Sequence, residues 1–314
     1  MKDLQFIFNG GLGNQIFQFL ASKYILQKIK NIEMHYALSE YILNGGRNFE
    51  LNKLLRKPLN ITAEYNQYFE KIYNKIINKS FFLKQGYKDK IKFKINLMNN
   101  LYYEKKLNNC FQDSIKDCYT DLKLIADNSS KLKIKGYWQN PTSYLENIDE
   151  YSNYFVDTKK FLPSGIKPNK YITIHIRRGD FFLSKESTLH FYSKFSPVQF
   201  IILSLKILPK DFSDYPIYLI SDDIEWRNKL LGTLSNSFQN KLRFLNTINH
   251  YEDWSIIRHA SINICSNSTF SYSAALLNND NKGNKLRCII PQWINAETTA
   301  LEKGWLNPPG FIEI

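Results

Sequence analysis

The sequence predicts an α/β protein of two domains, and three observations carry that prediction. Short apolar runs alternate with helical stretches along most of the chain, which favours parallel sheets with helices on both faces. The chain has 314 residues, enough for two domains of roughly 150 residues each. A polar stretch at residues 157–170, which contains Pro163, Gly165 and Pro168, is the best candidate for a linker.

The first half of the chain begins with a strand, a turn, a helix and a second strand. The apolar run 4–8 predicts a strand, and Ile16, Leu20 and Tyr24 recur at helical spacing within a helix expected at 14–30. The other elements expected before the linker are a strand at 32–36, a mostly helical basic region at 64–109, a strand at 132–138 and a short helix that opens at Pro141.

The second half alternates more regularly, because its apolar runs are short and are bounded by polar turns. The expected strands are 171–176, 217–220, 242–245, 262–265 and 288–290, and the expected helices are 198–208, 223–231, 251–259 and 269–278. Ligands bind such sheets at the carboxyl ends of the strands. The polar segments in which to look for chemistry are therefore 9–15, 175–180, 221–225 and 266–271.

Composition excludes several classes of protein. Hydrophobic residues make up 43% of the chain, and glycine (13) and proline (10) are sparse, which excludes collagen, low-complexity and intrinsically disordered chains. Four cysteines are too few for a disulfide scaffold, so we expect reduced thiols in a cytoplasm. No apolar run approaches the roughly 20 residues of a membrane span, and we expect a soluble cytoplasmic protein without a signal peptide.

The positive charge is unevenly distributed. Lysine and arginine number 42 against 29 aspartate and glutamate, a net charge of +13. Residues 71–106 hold ten lysines and two acids, a net charge of +8, among several aromatic residues. This segment is either a solvated helical face or a surface for an anionic membrane, which would place the protein peripherally on an inner membrane. Nucleic acid is the weakest of the three interpretations, and we expect no nucleic-acid partner.

Two adjacent arginines, Arg177 and Arg178, follow the strand expected at 171–176. A guanidinium group is always charged and presents a planar fork that matches phosphate oxygens. The pair is typical of a clamp for a diphosphate, and the alternative is a surface arginine pair bridged to Asp180.

A glycine-rich turn, residues 9–15, joins the first expected strand to the first helix. Glycine lets a backbone approach a ligand, and a helix N-terminus offers unpaired N–H groups. The turn departs from the dinucleotide-binding fingerprint because Ile16 stands in place of the third glycine, and it lacks the Lys-Ser/Thr of a P-loop. A ligand-binding turn and a simple tight turn both stay open.

Two more polar segments follow expected strands. Ser268 and Thr269 lie where hydroxyl and main-chain N–H groups at a helix start either hold a phosphate or cap the helix. Asp222 and Asp223 can hold a divalent metal or accept hydrogen bonds from ribose and guanine. The alternative for these two residues is a pair of acids in the first turn of a helix.

Together these segments resemble a known family. Residues 175–180 match the H-x-R-R-G-D motif of fucosyltransferases that use GDP-fucose, and residues 10–18 are similar to the G-G-L-G-N-Q-L/I-F-Q signature of the α-1,2-fucosyltransferases, glycosyltransferase family 11. Further motifs in that family's order are 136–139, 221–226, 253–254, 266–271 and 291–293. The resemblance implies a GT-B-like fold of two Rossmann-type domains that face each other across a cleft. Residues 1–160 would form the acceptor-side domain, and 161–314 the GDP-fucose-binding domain.

The resemblance also implies a reaction, namely inverting transfer of L-fucose from GDP-β-L-fucose to the 2-hydroxyl of a β-galactoside, in the synthesis of a bacterial surface glycan or O-antigen. The implied partners are GDP-fucose and a galactose-containing oligosaccharide or lipid-linked glycan. No cofactor or metal is expected, because Asp222 and Asp223 are adjacent rather than spaced as D-x-D and the arginines can neutralise a diphosphate instead.

Site residues follow from the same resemblance. The implied catalytic residues are Arg177, Arg178, Asp180 and Asn14, and the implied donor-binding residues are Gly11, Gly13, Asn14, His175, Arg177, Asp222, Asp253, Ser268 and Thr269. Asp253 and His175 are expected at guanine and ribose, with a helix cap as the alternative for Asp253. Two other functions stay open: another nucleotide-sugar or peptide O-fucosyl transferase on the same fold, and a non-enzymatic polyanion-binding protein.

Overall fold

The protein is represented by a computed structural model that describes residues 2–62, 92–97, 100–105, 131–178, 196–231, 233, 238, 240–245, 247–278, 285–291 and 307–314. The chain divides into two compact units, Met1–Tyr144 and Leu145–Ile314. Each unit contains a six-stranded sheet.

The sheet of the N-terminal unit is parallel except at one edge. Its strands are β1 (Lys2–Phe8), β2 (Ile32–Leu38), β3 (Ile61–Thr62), β4 (Lys92–Leu97), β5 (Asn100–Lys105) and β6 (Lys131–Lys135). They are ordered β3-β2-β1-β6-β5-β4, and the pair β4–β5 is antiparallel. The central position of β1 between two parallel partners brings the segments that follow β1 and β6 to the same edge of the sheet.

The main helix of this unit is α1 (Leu12–Lys28), and a short α2 (Glu40–Leu43) follows β2. Most of α1 is buried, including the polar side chains of Gln15, Gln18 and Ser22. The helix begins two residues before the expected start, because Gly10 turns the chain with a φ of +77° and Gly11 takes the N-cap position. Among the described residues of this unit, single 3-10 turns lie at Leu51–Lys53 and Pro141–Ser143.

The expectation of a mostly helical region at 64–109 is wrong for residues 92–97 and 100–105, which form two antiparallel strands. Their pairing runs from Lys92 with Lys105 to Leu97 with Asn100. The run Phe93, Ile95, Leu97 alternates with polar residues at the period of a strand, and pairing with the edge of an existing sheet favours that pattern over a helix. Residues 63–91 and 106–130 lie outside the described part of the chain.

The sheet of the C-terminal unit is parallel throughout. Its strands are β7 (Ile172–Ile176), β8 (Ile217–Ser221), β9 (Leu242–Phe244), β10 (Ile262–Cys265), β11 (Cys288–Ile290) and β12 (Phe311–Glu313). Their order is β12-β11-β10-β7-β8-β9, with β7 and β10 at the centre. Every residue of β7 and β10 is buried, as expected for central strands covered on both faces.

The helices that the structure describes in this unit are short. They are α3 (Ile148–Ser152), α4 (Pro197–Lys206), α5 (Ile224–Leu231), α6 (His250–Arg258) and α7 (Thr269–Leu276), with 3-10 turns at Leu145–Asn147, Thr158–Phe161 and Lys210–Phe212. A capping box fixes the start of α4, since Ser196 and Gln199 exchange side-chain and main-chain hydrogen bonds. Phe200, Ile201 and Leu205 of α4 join the apolar core over the central strands.

The division between the two units lies at Tyr144 and Leu145, before the expected boundary at residue 160. Residues 145–160 pack within the C-terminal unit. The Phe155 ring stacks on Trp254 at a centroid distance of 6.1 Å, and Thr158 Oγ1 lies 2.9 Å from His259 Nε2. The polar stretch at 157–170, expected to be a linker, therefore lies within the C-terminal unit.

The chain forms two α/β units, each built on a sheet of mainly parallel strands. This confirms the predicted fold class, a GT-B-like chain of two Rossmann-type domains. Among the described residues, no helix is both long and apolar enough to cross a membrane.

Candidate active site

The carboxyl ends of three neighbouring strands meet in the C-terminal unit. Arg177 follows β7, Asp222 follows β8 and Ser266 follows β10. The Arg177 main-chain N–H donates to Ser266 Oγ at 3.0 Å, and the Arg178 main-chain N–H donates to Asp222 Oδ1 at 2.7 Å. The backbone that carries both arginines is therefore held from each side.

Each arginine also contacts its own acid. Arg177 Nε lies 3.1 Å from Asp222 Oδ2, and Arg178 Nε lies 3.1 Å from Asp223 Oδ2. The Arg178 guanidinium stacks over the Trp226 ring at 4.8 Å. We call Arg177, Arg178, Asp222 and Asp223 the arginine cluster. Contacts through Nε fix the direction of each guanidinium plane, which is what bidentate recognition of a phosphate requires.

The acids of the cluster differ in their second role. Asp223 also caps α5, because the Trp226 main-chain N–H donates to its Oδ1 at 2.9 Å. That backbone hydrogen bond, followed by the bond and charge of Arg178, lowers the pKa of Asp223. Asp223 therefore caps α5 from the residue before its first turn, and Asp222 is the residue that joins both arginines. Asp180, the other expected partner, lies outside the described residues.

His175 is the last but one residue of β7 and is 5% exposed. Its carbonyl accepts a hydrogen bond from the Ser266 main-chain N–H at 2.8 Å, and its Nδ1 lies 3.5 Å from Ser266 Oγ. Burial lowers the pKa of His175 to about 4; Asp222 acts in the opposite direction and Arg177 in the same direction. The imidazole beside the arginine cluster is therefore neutral at physiological pH.

The N-terminus of α7 lies at the end of β10. Ser268 occupies the N-cap position, but its side chain makes no capping hydrogen bond. Its main-chain N–H donates to Ser266 O at 2.7 Å, and Thr269 begins the helix. The structure therefore brings Ser268 and Thr269 to the strand edge that carries the arginines, and helix N–H groups there favour an anion.

Asp253 is not a helix cap, so that alternative is wrong. The cap of α6 is Asn249, whose Oδ1 accepts from the main-chain N–H groups of Tyr251 and Glu252 at 3.0 and 3.2 Å. Asp253 lies in the first turn of α6 and is half-buried. Burial raises its pKa, against a hydrogen bond from Thr247 and the positive charges nearby.

The glycine-rich turn of the N-terminal unit is built from neutral groups. Gly10 has a φ of +77°, and a Cβ there would lie 2.6 Å from Asn14 Nδ2 and 3.3 Å from the Tyr137 ring. Asn9 donates from Nδ2 to the Tyr137 hydroxyl at 3.0 Å, and its Oδ1 accepts from Ser39 Oγ at 2.9 Å. These bonds join the segments that follow β1, β2 and β6.

Asn14 lies in the first turn of α1 and accepts a hydrogen bond at Oδ1 from Gln139 Nε2 at 2.7 Å. Gly13 is buried in the same turn. Gly11 is open, because a Cβ placed there would meet no atom within 4 Å. The structure thus gathers Gly11, Gly13 and Asn14 in the N-terminal unit, and the other described candidate residues in the C-terminal unit.

Several residues at these two edges lie in motifs noted in the sequence but were not named there as site residues. Ser266 and Trp226 hold the arginines, and Gln18 ties Asn9 to Gly136 through hydrogen bonds of 3.0 and 2.8 Å. Polar side chains inside an apolar helix, such as Gln15 and Gln18 in α1, are the signal that could have identified the buried amides.

One further group of ligand-type side chains lies elsewhere among the described residues. Ligand atoms of Asp3, Glu33 and His35 all lie within 4.8 Å of one another. Asp3 and Glu33 are the second residues of β1 and β2 and His35 is the middle residue of β2, so the group lies away from the carboxyl ends at which the candidate residues gather.

Comparison with known proteins agrees with the sequence resemblance. The family described as Glycosyl transferase family 11 matches residues 3–307. An α-1,2-colitosyltransferase of Escherichia coli is 26% identical over 87% of this chain and 87% of its own length. The O-antigen biosynthesis glycosyltransferase WbnK of Escherichia coli is 24% identical over 91% of this chain and 98% of its own. Among solved structures, Arabidopsis thaliana FUT1 with GDP aligns at 12% identity and a TM-score of 0.49, over 95% of this chain and 72% of that one.

Proposed function

The chain belongs to glycosyl transferase family 11 and is a glycosyltransferase, and we propose that it moves L-fucose from GDP-β-L-fucose to the 2-hydroxyl of a β-galactoside with inversion. The observation that carries this proposal is the arginine cluster. Two guanidinium groups at one strand end, each oriented by its own carboxylate, fit a leaving group with two phosphates.

The reaction requires stabilisation of the negative charge that develops on the leaving group. As the bond between fucose and phosphate breaks, negative charge grows on the diphosphate, and a preorganised cation stabilises that charge without rearrangement. Arg177 and Arg178 supply the cations in this proposal. Ser268, Thr269 and the first N–H groups of α7 add hydrogen-bond donors at the same edge.

Recognition of the nucleoside is assigned to His175, Asp222 and Asp253. A carboxylate can accept two N–H bonds from guanine, which distinguishes GDP from UDP, and we assign this contact to Asp253. The neutral imidazole of His175 can bond to a ribose hydroxyl without repelling the arginines. Gly11, Gly13 and Asn14 are the remaining proposed donor contacts, and we assign them to the uncharged fucose rather than to the diphosphate.

Deprotonation of the acceptor hydroxyl has no assigned residue among the described ones. Asp180 directly follows the Arg-Arg-Gly sequence and is the proposed catalytic carboxylate, either as base or as a partner that orients the arginines. A very loose transition state, in which the acceptor proton leaves late, would need only the orienting role.

Transfer without a metal ion is part of the same proposal. Both acids at the end of β8 lie within 3.1 Å of an arginine Nε, and one of them also caps a helix. Carboxylates engaged in this way already have cationic partners, and the arginines replace the charge that a divalent ion would bring to the diphosphate.

A second donor sugar is also favoured by an observation. The relative that is 26% identical carries the name α-1,2-colitosyltransferase, so colitose carried on GDP is the alternative donor at the same site. The name of the second relative leads us to propose that the product belongs to an O-antigen or another surface glycan.

Docking on an anionic membrane through residues 71–106 remains a proposal, and only residues 92–97 and 100–105 of that segment are described. Co-sedimentation with vesicles tests it. Binding should require anionic lipid and be released by salt, since the attraction decays over a Debye length. Equal binding to neutral vesicles, or no change when four of the lysines become glutamine, would contradict it.

The transferase proposal is tested by incubating the protein with GDP-fucose, GDP-colitose, GDP-mannose and UDP-galactose, each with a panel of β-galactosides. We expect transfer from GDP-fucose and an α-1,2 linkage in the product. Preference for GDP-colitose would replace the donor, and transfer from UDP-galactose alone would overturn the assignment. Salt-dependent nucleic-acid binding with no affinity for GDP would favour a polyanion-binding protein instead.

A further inference from the structure

The loop that follows β6 contains two buried polar atoms that have no hydrogen-bond partner among the described residues. They are Oε1 of Gln139, a residue 4% exposed, and Nε1 of Trp138, a residue 1% exposed. Buried polar groups are nearly always paired, because an unpaired one loses its bonds to water without replacement. An acceptor and a donor are thus left unused in consecutive residues.

The two other fully buried glutamines that the structure describes in this unit use both ends of their amides, whereas the half-buried Gln5 of β1 also has an unpaired Oε1. Gln18 uses both ends of its amide, accepting from the Asn9 main-chain N–H and donating to Gly136 O. Gln15 donates to Gly10 O and accepts from the main-chain N–H groups of Glu50 and Leu51. Gln139 uses one end only, its donor to Asn14 Oδ1. The two structural glutamines are satisfied, and Gln139 is half satisfied.

Gln139 lies at the edge of the sheet where ligands of parallel α/β proteins bind. Its amide is held by Asn14 in the first turn of α1, where the segments after β1 and β6 meet. Ligands of parallel α/β sheets bind at this edge. Gly11, in the same turn, faces open space.

The backbone of the loop is shaped around the indole. Trp138 has a φ of +55°, which non-glycine residues seldom adopt. A Cβ on Gly136 would lie within 2.6–2.9 Å of the Trp138 ring, so only glycine fits beneath it. Strained backbone that positions a buried, unpaired donor is typical of a functional site rather than of simple packing.

The two atoms select a class of ligand. An amide oxygen only accepts, so its partner must donate a hydrogen, which a fully ionised phosphate or a carboxylate cannot do. An indole N–H only donates. A hydroxyl group does both, and a sugar presents several hydroxyls within a few ångströms. The side chains bonded around this loop, those of Asn9, Asn14 and Tyr137, are neutral as well.

We propose that Gln139 and Trp138 bind hydroxyl groups of the acceptor sugar, with Gln139 Oε1 accepting and Trp138 Nε1 donating. That the sugar is the acceptor of a transfer reaction rests on the proposed function. That the loop takes a neutral, hydroxyl-bearing ligand rests on the two unpaired atoms.

Lactose binding measured by saturation-transfer NMR tests the proposal, in the presence and absence of GDP. The variants are Gln139→Met and Trp138→Phe, and the matched control is Asn52→Leu, because the Asn52 amide is bonded at both ends to Leu59 in the same unit, outside this loop. Both loop variants should weaken lactose binding about fivefold or more while GDP affinity stays within twofold. Asn52→Leu should lower the thermal midpoint, since it leaves the Leu59 main-chain N–H and carbonyl unpaired, without a separate loss of lactose binding.

Monodeoxy derivatives of lactose sharpen the result. Removing the hydroxyl that meets Gln139 should weaken binding to the wild-type protein but have no further effect in Gln139→Met. Undiminished lactose binding in both loop variants, or no binding of lactose to the wild type, overturns the inference. Transfer of no sugar at all by a wild type that binds lactose through Gln139 overturns the proposed function and leaves the inference standing.

Discussion

In each unit the candidate residues gather at one edge of the sheet, where the strands end, and the two edges differ in charge. In the C-terminal unit, the end of β7 carries two permanent positive charges, each paired with an acid that follows β8. In the N-terminal unit, the segments after β1 and β6 are joined by hydrogen bonds between neutral groups, those of Asn9, Tyr137, Asn14 and Gln139. The first edge is arranged for an anion and the second for an uncharged ligand.

This difference matches the division of roles that we propose, with the diphosphate at the charged edge and an uncharged sugar at the neutral edge. The charged edge holds its cations with carboxylates, whose contacts orient the guanidinium groups for a diphosphate. The neutral edge is held by a glycine turn and by glutamines bonded at both ends, and the Gln139 amide oxygen there has no partner in the part of the chain that the structure describes. The comparison makes distinct predictions for each edge.

The largest expected effect is at the charged edge. Arg177→Lys keeps the charge but loses the planar fork that binds two phosphate oxygens. Turnover should fall by roughly 10²–10³, the usual effect of removing a donor that stabilises charge in the transition state. Initial rates with GDP-fucose and a β-galactoside measure it.

Arg243→Lys is the matched control. Arg243 is exposed on β9 and donates to the carbonyls of Asn240 and Leu242, away from the cluster. Its substitution should leave turnover unchanged. Near wild-type turnover in Arg177→Lys would refute the bidentate role of this arginine.

The next effect concerns pH and again belongs to the charged edge. The folded protein keeps His175 neutral down to about pH 4, whereas the unfolded chain binds that proton near the ordinary pKa of 6.5. The unfolded state therefore takes up more protons between these values, and stability falls as pH is lowered through this window. The loss is roughly 3 kcal/mol at pH 4, from about 1.4 kcal/mol per pH unit.

Urea unfolding at pH 7, 6, 5 and 4 measures this dependence. His175→Gln should flatten the acid limb relative to the wild type, because the substituted side chain does not titrate. An identical pH dependence in the two proteins would show that His175 is not held neutral by the fold.

A smaller effect is expected at the neutral edge. Gly10→Ala forces an alanine to a φ of +77° and places its Cβ against Asn14, so we expect a loss of about 2 kcal/mol in the free energy of unfolding. Gly11→Ala, with open space and a φ of −79°, should lose at most about 1 kcal/mol. Urea titrations of both variants decide this, and equal losses would contradict the tight approach at Gly10.

The smallest expected effect is that of removing metal ions, which should not change turnover. Exhaustive chelation should leave turnover within about twofold, because Asp222 and Asp223 are engaged by arginines that neutralise the diphosphate. An absolute requirement for added Mn²⁺ or Mg²⁺ would return these acids to the role of metal ligands and would remove the contrast between the edges.

Much of the fold could be predicted from the sequence, because periodicity reports burial directly. The short apolar runs located β7, β8, β9, β10 and β11, and the ends of those strands located Arg177, Asp222 and Ser268. The strands β4 and β5 were not predicted, because their lysines and aromatic residues are also compatible with a helix. Only the pairing of β5 with β6, a contact between distant segments, favours strands there.

The partners within each edge could not be predicted, because they depend on contacts between distant segments. Asp222 lies 45 positions from Arg177, and no local pattern in the sequence indicates that it contacts that arginine. Gln139 and Asn14 are likewise 125 positions apart. The motif around Gly136 was visible in the sequence, but the unpaired atoms that give it a role appear only in three dimensions.

The central claim, that the charged edge binds the nucleoside diphosphate and the neutral edge does not, is tested most directly by calorimetric titration of GDP. Wild type, Arg177→Lys and Gln139→Met are compared under one set of conditions. The account predicts that Arg177→Lys weakens GDP binding about tenfold or more, the equivalent of about 1.4 kcal/mol, and that Gln139→Met leaves it within twofold. Equal weakening in the two variants, or a larger loss in Gln139→Met, would contradict it.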